Sequence, residues 1–115
     1  MRILGLVFVG SATDRRGEMA GFVADVLGLE RVEDSGVEAD LFALPDGSRF
    51  GVADPRDMGD TSRTIGFLVD DLEAAAAELR AAGGWVADEP GANDAERYLH
   101  FRAPDGALYE LIQRR

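Results

Sequence analysis

Apolar residues fill the opening stretch Ile3-Leu4-Gly5-Leu6-Val7-Phe8-Val9, which predicts a strand over 3–9. A polar run through Thr13-Asp14-Arg15-Arg16 follows. Met19, Phe22, Val23, Val26 and Leu27 then recur at helical spacing, so they are expected to form the buried face of a helix that Gly28 stops. Strand candidates follow at about 30–35, 38–44 and 48–53, the middle one with a run of consecutive apolar residues, Leu41-Phe42-Ala43-Leu44, that spoils strict alternation. The order then starts again. Thr64-Ile65-Gly66-Phe67-Leu68-Val69 reads as a strand, and Asp70 with Glu73 has the spacing of a capping box for a second helix. Leu72, Ala75, Ala76 and Leu79 supply that helix with a buried stripe, and Gly83-Gly84 ends it. A short strand near Trp85-Val86, a loop containing Pro90-Gly91-Ala92-Asn93-Asp94, and strands near 96–102 and 107–112 complete the series.

One phrase occurs in both halves. Pro45-Asp46-Gly47-Ser48-Arg49-Phe50-Gly51-Val52 returns 59 positions later as Pro104-Asp105-Gly106-Ala107-Leu108-Tyr109-Glu110-Leu111. Each copy is a turn signal leading into a strand. The chain is therefore expected to be a single α+β domain over 1–115, built from a first βαβββ module at 1–54 and a second at 61–115. The acidic segment Asp54-Pro55-Arg56-Asp57-Met58-Gly59-Asp60 joins them. One helix cannot cover both faces of a small sheet, so two modules paired together would share a concavity lined by strand residues. Exchange of modules between two chains would build the same cavity, which admits a homodimer as well as a single-chain pairing.

Composition narrows the function classes. The 115 residues include no cysteine, which excludes disulfides, thiolate metal sites and cysteine nucleophiles. Twelve basic residues against 22 acidic ones give a net charge of −10, a field that disfavours nucleic acid and anionic membrane surfaces as partners. The apolar start is too short to span a membrane and reads better as a first strand than as a signal peptide, so a cytoplasmic location is expected. No GxGxxG or GxxxxGK[ST] loop follows the first strand, and no Ser-His-acid motif is discernible.

Three segments carry a family resemblance. Phe22-Val23-Ala24-Asp25-Val26-Leu27-Gly28-Leu29, Ile65-Gly66-Phe67-Leu68-Val69-Asp70-Asp71-Leu72 and Pro104-Asp105-Gly106-Ala107-Leu108-Tyr109-Glu110-Leu111 stand in order and at suitable separations. Together they resemble the vicinal oxygen chelate superfamily, the glyoxalase, bleomycin-resistance and extradiol-dioxygenase fold. The resemblance implies a cup-shaped sheet made by the paired modules. Metal-dependent members of that superfamily take one histidine or glutamate from the first strand and one from the fourth strand of each module. Here those positions fall at about Gly5 to Val7, then Gly51, Thr64 and Glu110. Only Glu110 matches, and one carboxylate with a hydroxyl is poor equipment for a divalent transition metal. No metal and no cofactor are expected.

Alternation along the last strands nominates the groups left to act. Glu110 shares a face with Leu108 and Ile112, and the resemblance makes that the cavity face. Tyr98, His100 and Arg102 share one face of the preceding strand, while Leu99 and Phe101 are expected to pack under the helix. His100 is the sole histidine, and an imidazole beside Glu110 is the one local acid/base arrangement available. In the first module the matching face is Ala39, Leu41 and Ala43, so the cavity should be apolar on one side and polar on the other. Thr64 can offer a hydroxyl to the wall, and Arg49 can bind an anionic group or neutralise Glu110. Trp85 either stacks on a planar ligand at the mouth or anchors its short strand. Phe22 and Met19 are expected in the core.

These readings favour a protein that binds a small organic ligand, cationic or aromatic, through Glu110, His100, Thr64, Arg49, Tyr98, Arg102 and Trp85. A metal-independent isomerase, epimerase or lyase moving a proton with Glu110 or His100 is the alternative. A regulatory or interaction domain with a vestigial pocket is the third.

Overall fold

Strand, helix and three strands follow one another twice in the computed structural model, which describes residues 1–33, 38–57 and 63–115. The first series is β1 (Ile3–Ala12), α1 (Arg16–Asp25), β2 (Glu30–Val32), β3 (Asp40–Ala43) and β4 (Arg49–Ala53). The second is β5 (Arg63–Val69), α2 (Leu72–Ala81), β6 (Gly91–Ala92), β7 (Glu96–Arg102) and β8 (Leu108–Arg114). All eight strands join one curled sheet in the order β2-β3-β4-β1-β5-β8-β7-β6. Each series pairs its first strand in parallel with its last, β1 with β4 and β5 with β8, and the two series meet where β1 and β5 run antiparallel. The last two residues of the strand expected at 30–35, and residues 58–60 of the joining segment, lie outside the described residues.

Both repeated turns are built alike. Gly47 and Gly106 have φ of 85° and 80°, a left-handed conformation that side chains resist. Asp46 accepts from the Ser48 backbone N–H at 2.9 Å, and Asp105 from that of Ala107 at 3.0 Å. The Tyr109 hydroxyl, with that N–H, holds the Asp105 carboxyl below its usual range. The Pro-Asp-Gly phrase thus fixes the entry, and with it the register, of β4 and β8.

Side chains on the convex face form two separate cores. Under α1 lie Ala20, Val23, Phe42 and Val52, all buried. Under α2 lie Leu72, Ala75, Ala76, Val69, Leu99, Phe101 and Leu111. Phe42 faces α1 while Leu41 faces the concave side, and both are buried. A strand covered on two faces needs no alternation, which accounts for the continuous apolar run in β3.

Four local expectations are corrected. Helix α1 stops at Asp25, with Val26 as its cap residue, and of the predicted face it buries Val23 and packs Met19 partly buried on the same core, with Ala20 added. Phe22 is 46% exposed, and Val26 and Leu27 are also exposed. Apolar residues lie all round this short helix, so periodicity alone could not choose its inner face. Helix α2 is capped by Asp71, whose side chain accepts from the Ala74 N–H at 3.0 Å. Asp70 and Glu73 form no capping box, and Glu73 pairs with Arg97 instead. The Leu72 N–H donates to Gln113 Oε1 at 2.7 Å, which ties the helix start to β8. Trp85-Val86 contributes only an isolated bridge between Val86 and Phe101, and the short β6 forms inside the predicted loop, at Gly91-Ala92.

Asp40 ties α1 to the sheet. Arg16 Nε donates to it at 2.9 Å and Arg31 Nη1 at 2.8 Å. Burial pushes the carboxyl up, but the two guanidiniums outweigh burial and hold it below the ordinary value. The stabilisation is therefore present at neutral pH and is lost as pH falls toward the lowered folded-state value. Asp40→Asn should be less stable than wild type near neutrality, and should lose less stability between about pH 5 and pH 3. Urea unfolding at stepped pH measures both, and an unchanged acid loss in the variant would contradict the assignment. No helix among the described residues is long and apolar enough to cross a membrane.

Candidate functional site

Strand pairing sets the site in a row across the concave face. Arg49 pairs with Phe8, Phe8 with Gly66, Gly66 with Glu110, and Glu110 with His100. Four side chains from four strands are thereby brought to one level, with Gly66 as a gap between Phe8 and Glu110. The cavity above them has a volume of about 210 Å³. Ala39, Leu41, Gly51 and Ala53 give it a mainly apolar wall from the first series, which also carries Glu38 and Arg49. Tyr98, His100 and Glu110 give it a polar wall from the second.

Glu110 and His100 form the chemical centre of this wall. His100 Nε2 lies 2.8 Å from Glu110 Oε1, with side-chain exposures of 35% and 13%. The distance places an imidazole nitrogen against the carboxylate, a contact that becomes an ion pair when the ring is protonated. Directly opposed positions on antiparallel β7 and β8 produce the contact, so it rests on backbone pairing and not on a loop. The Tyr98 ring packs edge-on to the His100 ring, centroids 5.8 Å apart, and limits its rotation.

Phe8 is the residue that counting along the sequence misplaces. β1 and β5 pair through Phe8 with Gly66 and Gly10 with Thr64, which superposes Phe8 on Thr64 and Gly10 on Gly66 in a two-fold exchange of the strands. The parallel pairs Gly10 with Gly51 and Gly66 with Glu110 obey the same exchange. The first of the four strand positions is accordingly Phe8, and not Gly5 to Val7. Irregularities in the β1–β5 register between Ile3 and Gly5 and between Leu6 and Phe8 insert residues that sequence spacing alone does not reveal. The four positions hold Phe8, Gly51, Thr64 and Glu110. One carboxylate and one hydroxyl do not fit a transition metal, and among the described residues no group of three His, Asp or Glu side chains comes together.

The other nominated residues fall on both sides of the cavity's boundary. Arg49 and Tyr98 line it with Glu110 and His100. Thr64 points to the concave side but is 1% exposed and does not reach the cavity surface, and its Oγ1 has no hydrogen-bond partner among the described residues. Arg102 turns away to donate to the Gly106 carbonyl at 2.8 Å. Trp85 lies outside the lining at 54% exposure, so it is neither a wall of this cavity nor a core anchor. Leu99 and Phe101 do pack under α2. Phe8, Glu38, Asn93 and Glu96 line the cavity without having been nominated. Glu96 was within reach of the sequence, because it continues the alternation of Tyr98 and His100 by one step. Asn93 organises its own turn, accepting from the Ala95 and Glu96 N–H groups. No local pattern marked it.

Residues 7–112 match the model of the glyoxalase-like domain family. Among solved structures the fold is similar to methylmalonyl-CoA epimerase from Mycobacterium tuberculosis, with a TM-score of 0.75 and 21% identity, covering 96% of this chain and 88% of that one. It is also similar to a glyoxalase/bleomycin resistance protein/dioxygenase superfamily member from Vibrio splendidus, with a TM-score of 0.68 and 20% identity, covering 96% of this chain and 98% of that one. A methylmalonyl-CoA epimerase from Streptomyces coelicolor, in complex with 2-nitronate-propionyl-CoA, matches with a TM-score of 0.75 and 20% identity over 97% of this chain and 98% of that one. At these identities the likeness is one of fold. No curated protein sequence matches.

Proposed function

The chain belongs to the glyoxalase-like domain family, and from that premise we propose that its cavity binds a small organic molecule without a resident transition metal, Glu110 being the group that anchors it. The observation that carries this reading is a shielded carboxylate, 2.8 Å from His100 and facing a mainly apolar wall across an open cavity. A ligand donor meeting Glu110 there gains a charge-assisted hydrogen bond in surroundings that weaken competition from water. Protein purified without chelator should carry less than about one-tenth equivalent of transition metal, because the donors needed to hold one are missing. A small-molecule screen read by backbone amide NMR should move Phe8, Leu41, His100 and Glu110 together. Near-stoichiometric metal surviving dialysis, or binders that consistently perturb other surfaces, would refute the reading.

The 2.8 Å contact favours a second, related reading: metal-independent proton transfer of the isomerase, epimerase or lyase type. Glu110 would take a proton from a carbon next to a carbonyl. The C–H bond breaks, an O–H bond forms on the carboxyl, and the electron pair moves onto the carbonyl oxygen. His100, 2.8 Å away, would hold the carboxylate in line while the proton is carried and returned. Two of the similar folds are epimerases, which supports the scaffold's suitability for such chemistry.

A further inference from the structure

Two aromatic rings enter the cavity, and each is seated on backbone that lacks a side chain. A Cβ added at Gly51 would lie 3.0 Å from Phe8 Cζ, and one at Gly66 would lie 2.9 Å from Phe8 Cβ and 2.5 Å from Ile112 Cδ1. A Cβ at Gly91 would lie 2.4 Å from Tyr98 Cζ. A side chain at Gly66 or Gly91 would displace these groups and one at Gly51 would crowd Phe8, so glycines on three strands make the room in which two rings and Ile112 lie. Ile112 bridges the rings, for it pairs with Tyr98 across β7 and β8 and meets the Phe8 side over Gly66. Phe8, Ile112 and Tyr98 all line the cavity. The result is an apolar, partly aromatic band beside the Glu110–His100 pair.

We infer that this cavity selects a planar, unsaturated ligand, laid against Phe8 and Tyr98 with an N–H or O–H donor directed at Glu110. This deepens the proposed small-molecule function and rests on it. Offset or edge-on aromatic contacts add to burial only when the partner is itself a π-system, and the band presents one ring from each wall. A saturated ring of equal size buries similar area but forgoes that contribution, and its thickness must be accommodated over Ile112.

The test uses 2-naphthol and decahydro-2-naphthol, which share a hydroxyl and a fused two-ring frame but differ in planarity and π-character. NMR titration of the full chain should show 2-naphthol binding roughly 3- to 10-fold tighter. Ring signals of Phe8 and Tyr98 should move with those of the Glu110 amide. In Phe8→Leu the ratio should fall toward one while the saturated alcohol still binds. Tyr98→Leu supplies the same comparison from the other wall if the first variant is poorly folded, and the wild-type ratio is decisive without either. Equal wild-type affinities would overturn the planar-ligand inference alone. Failure of both compounds to perturb the cavity would overturn the small-molecule reading and this inference with it.

Discussion

Replacing Phe42 with alanine should lower the free energy of unfolding by about 3–5 kcal/mol, the largest loss expected from one truncation in the first half. In the buried centre of the core under α1, Phe42 is the largest residue beside Ala20, Val23 and Val52, with Met19, Leu29 and Phe50 packed partly buried around it. Its ring is 0% exposed, and the Arg31 guanidinium lies 5.0 Å from the ring centroid on the other strand of the hairpin. Removing the ring loses its burial and opens a void, and the place within that range depends on how far Met19, Leu29 and Phe50 relax into it. Urea denaturation followed by circular dichroism measures it. A loss below about 1.5 kcal/mol would mean that the α1 core repacks freely and that Phe42 does not hold it together.

Glu110→Ala should weaken binding of any small molecule held in the cavity by about 10- to 100-fold, the span of a hydrogen bond to a charged group. Part of that loss is the ligand's acceptor, and part is the release of His100 from its 2.8 Å contact. A double-mutant cycle separates the two. If the residues act as a unit, His100→Ala combined with Glu110→Ala should cost little more than Glu110→Ala alone. Calorimetric titration of the four proteins with one screened binder provides the numbers. Fully additive losses would show that the imidazole contacts ligand independently, and unchanged affinity in Glu110→Ala would remove the carboxylate from the site.

Much of the architecture was legible along the chain, and the exceptions have physical causes. The Pro-Asp-Gly phrases located β4 and β8 because a turn needing positive φ leaves a strong local mark. Alternation in β7 separated Leu99 and Phe101 from Tyr98 and His100, because that strand has a core on one face and a cavity on the other. Phe8 was missed because the register irregularities of β1 depend on pairing with β5, which lies more than 50 positions away and leaves no local signature. The inner face of α1 was misread because the apolar residues do not favour one side. β6 escaped because two residues held by main-chain bonds carry no side-chain pattern.

The seam between the two halves is a ladder of peptide groups from β1 and β5. Peptide hydrogen bonds are indifferent to which side chains project from the sheet, provided that strand geometry survives. The two walls of the cup can therefore drift apart in composition without unzipping the seam. One wall carries a carboxylate and an imidazole side by side, while the other is mostly alanine, leucine and glycine, with Arg49 and Glu38 among them. A joint of this kind makes the scaffold tolerant of lopsided chemistry, and lets new specificity be tried on one side while the other stays unchanged.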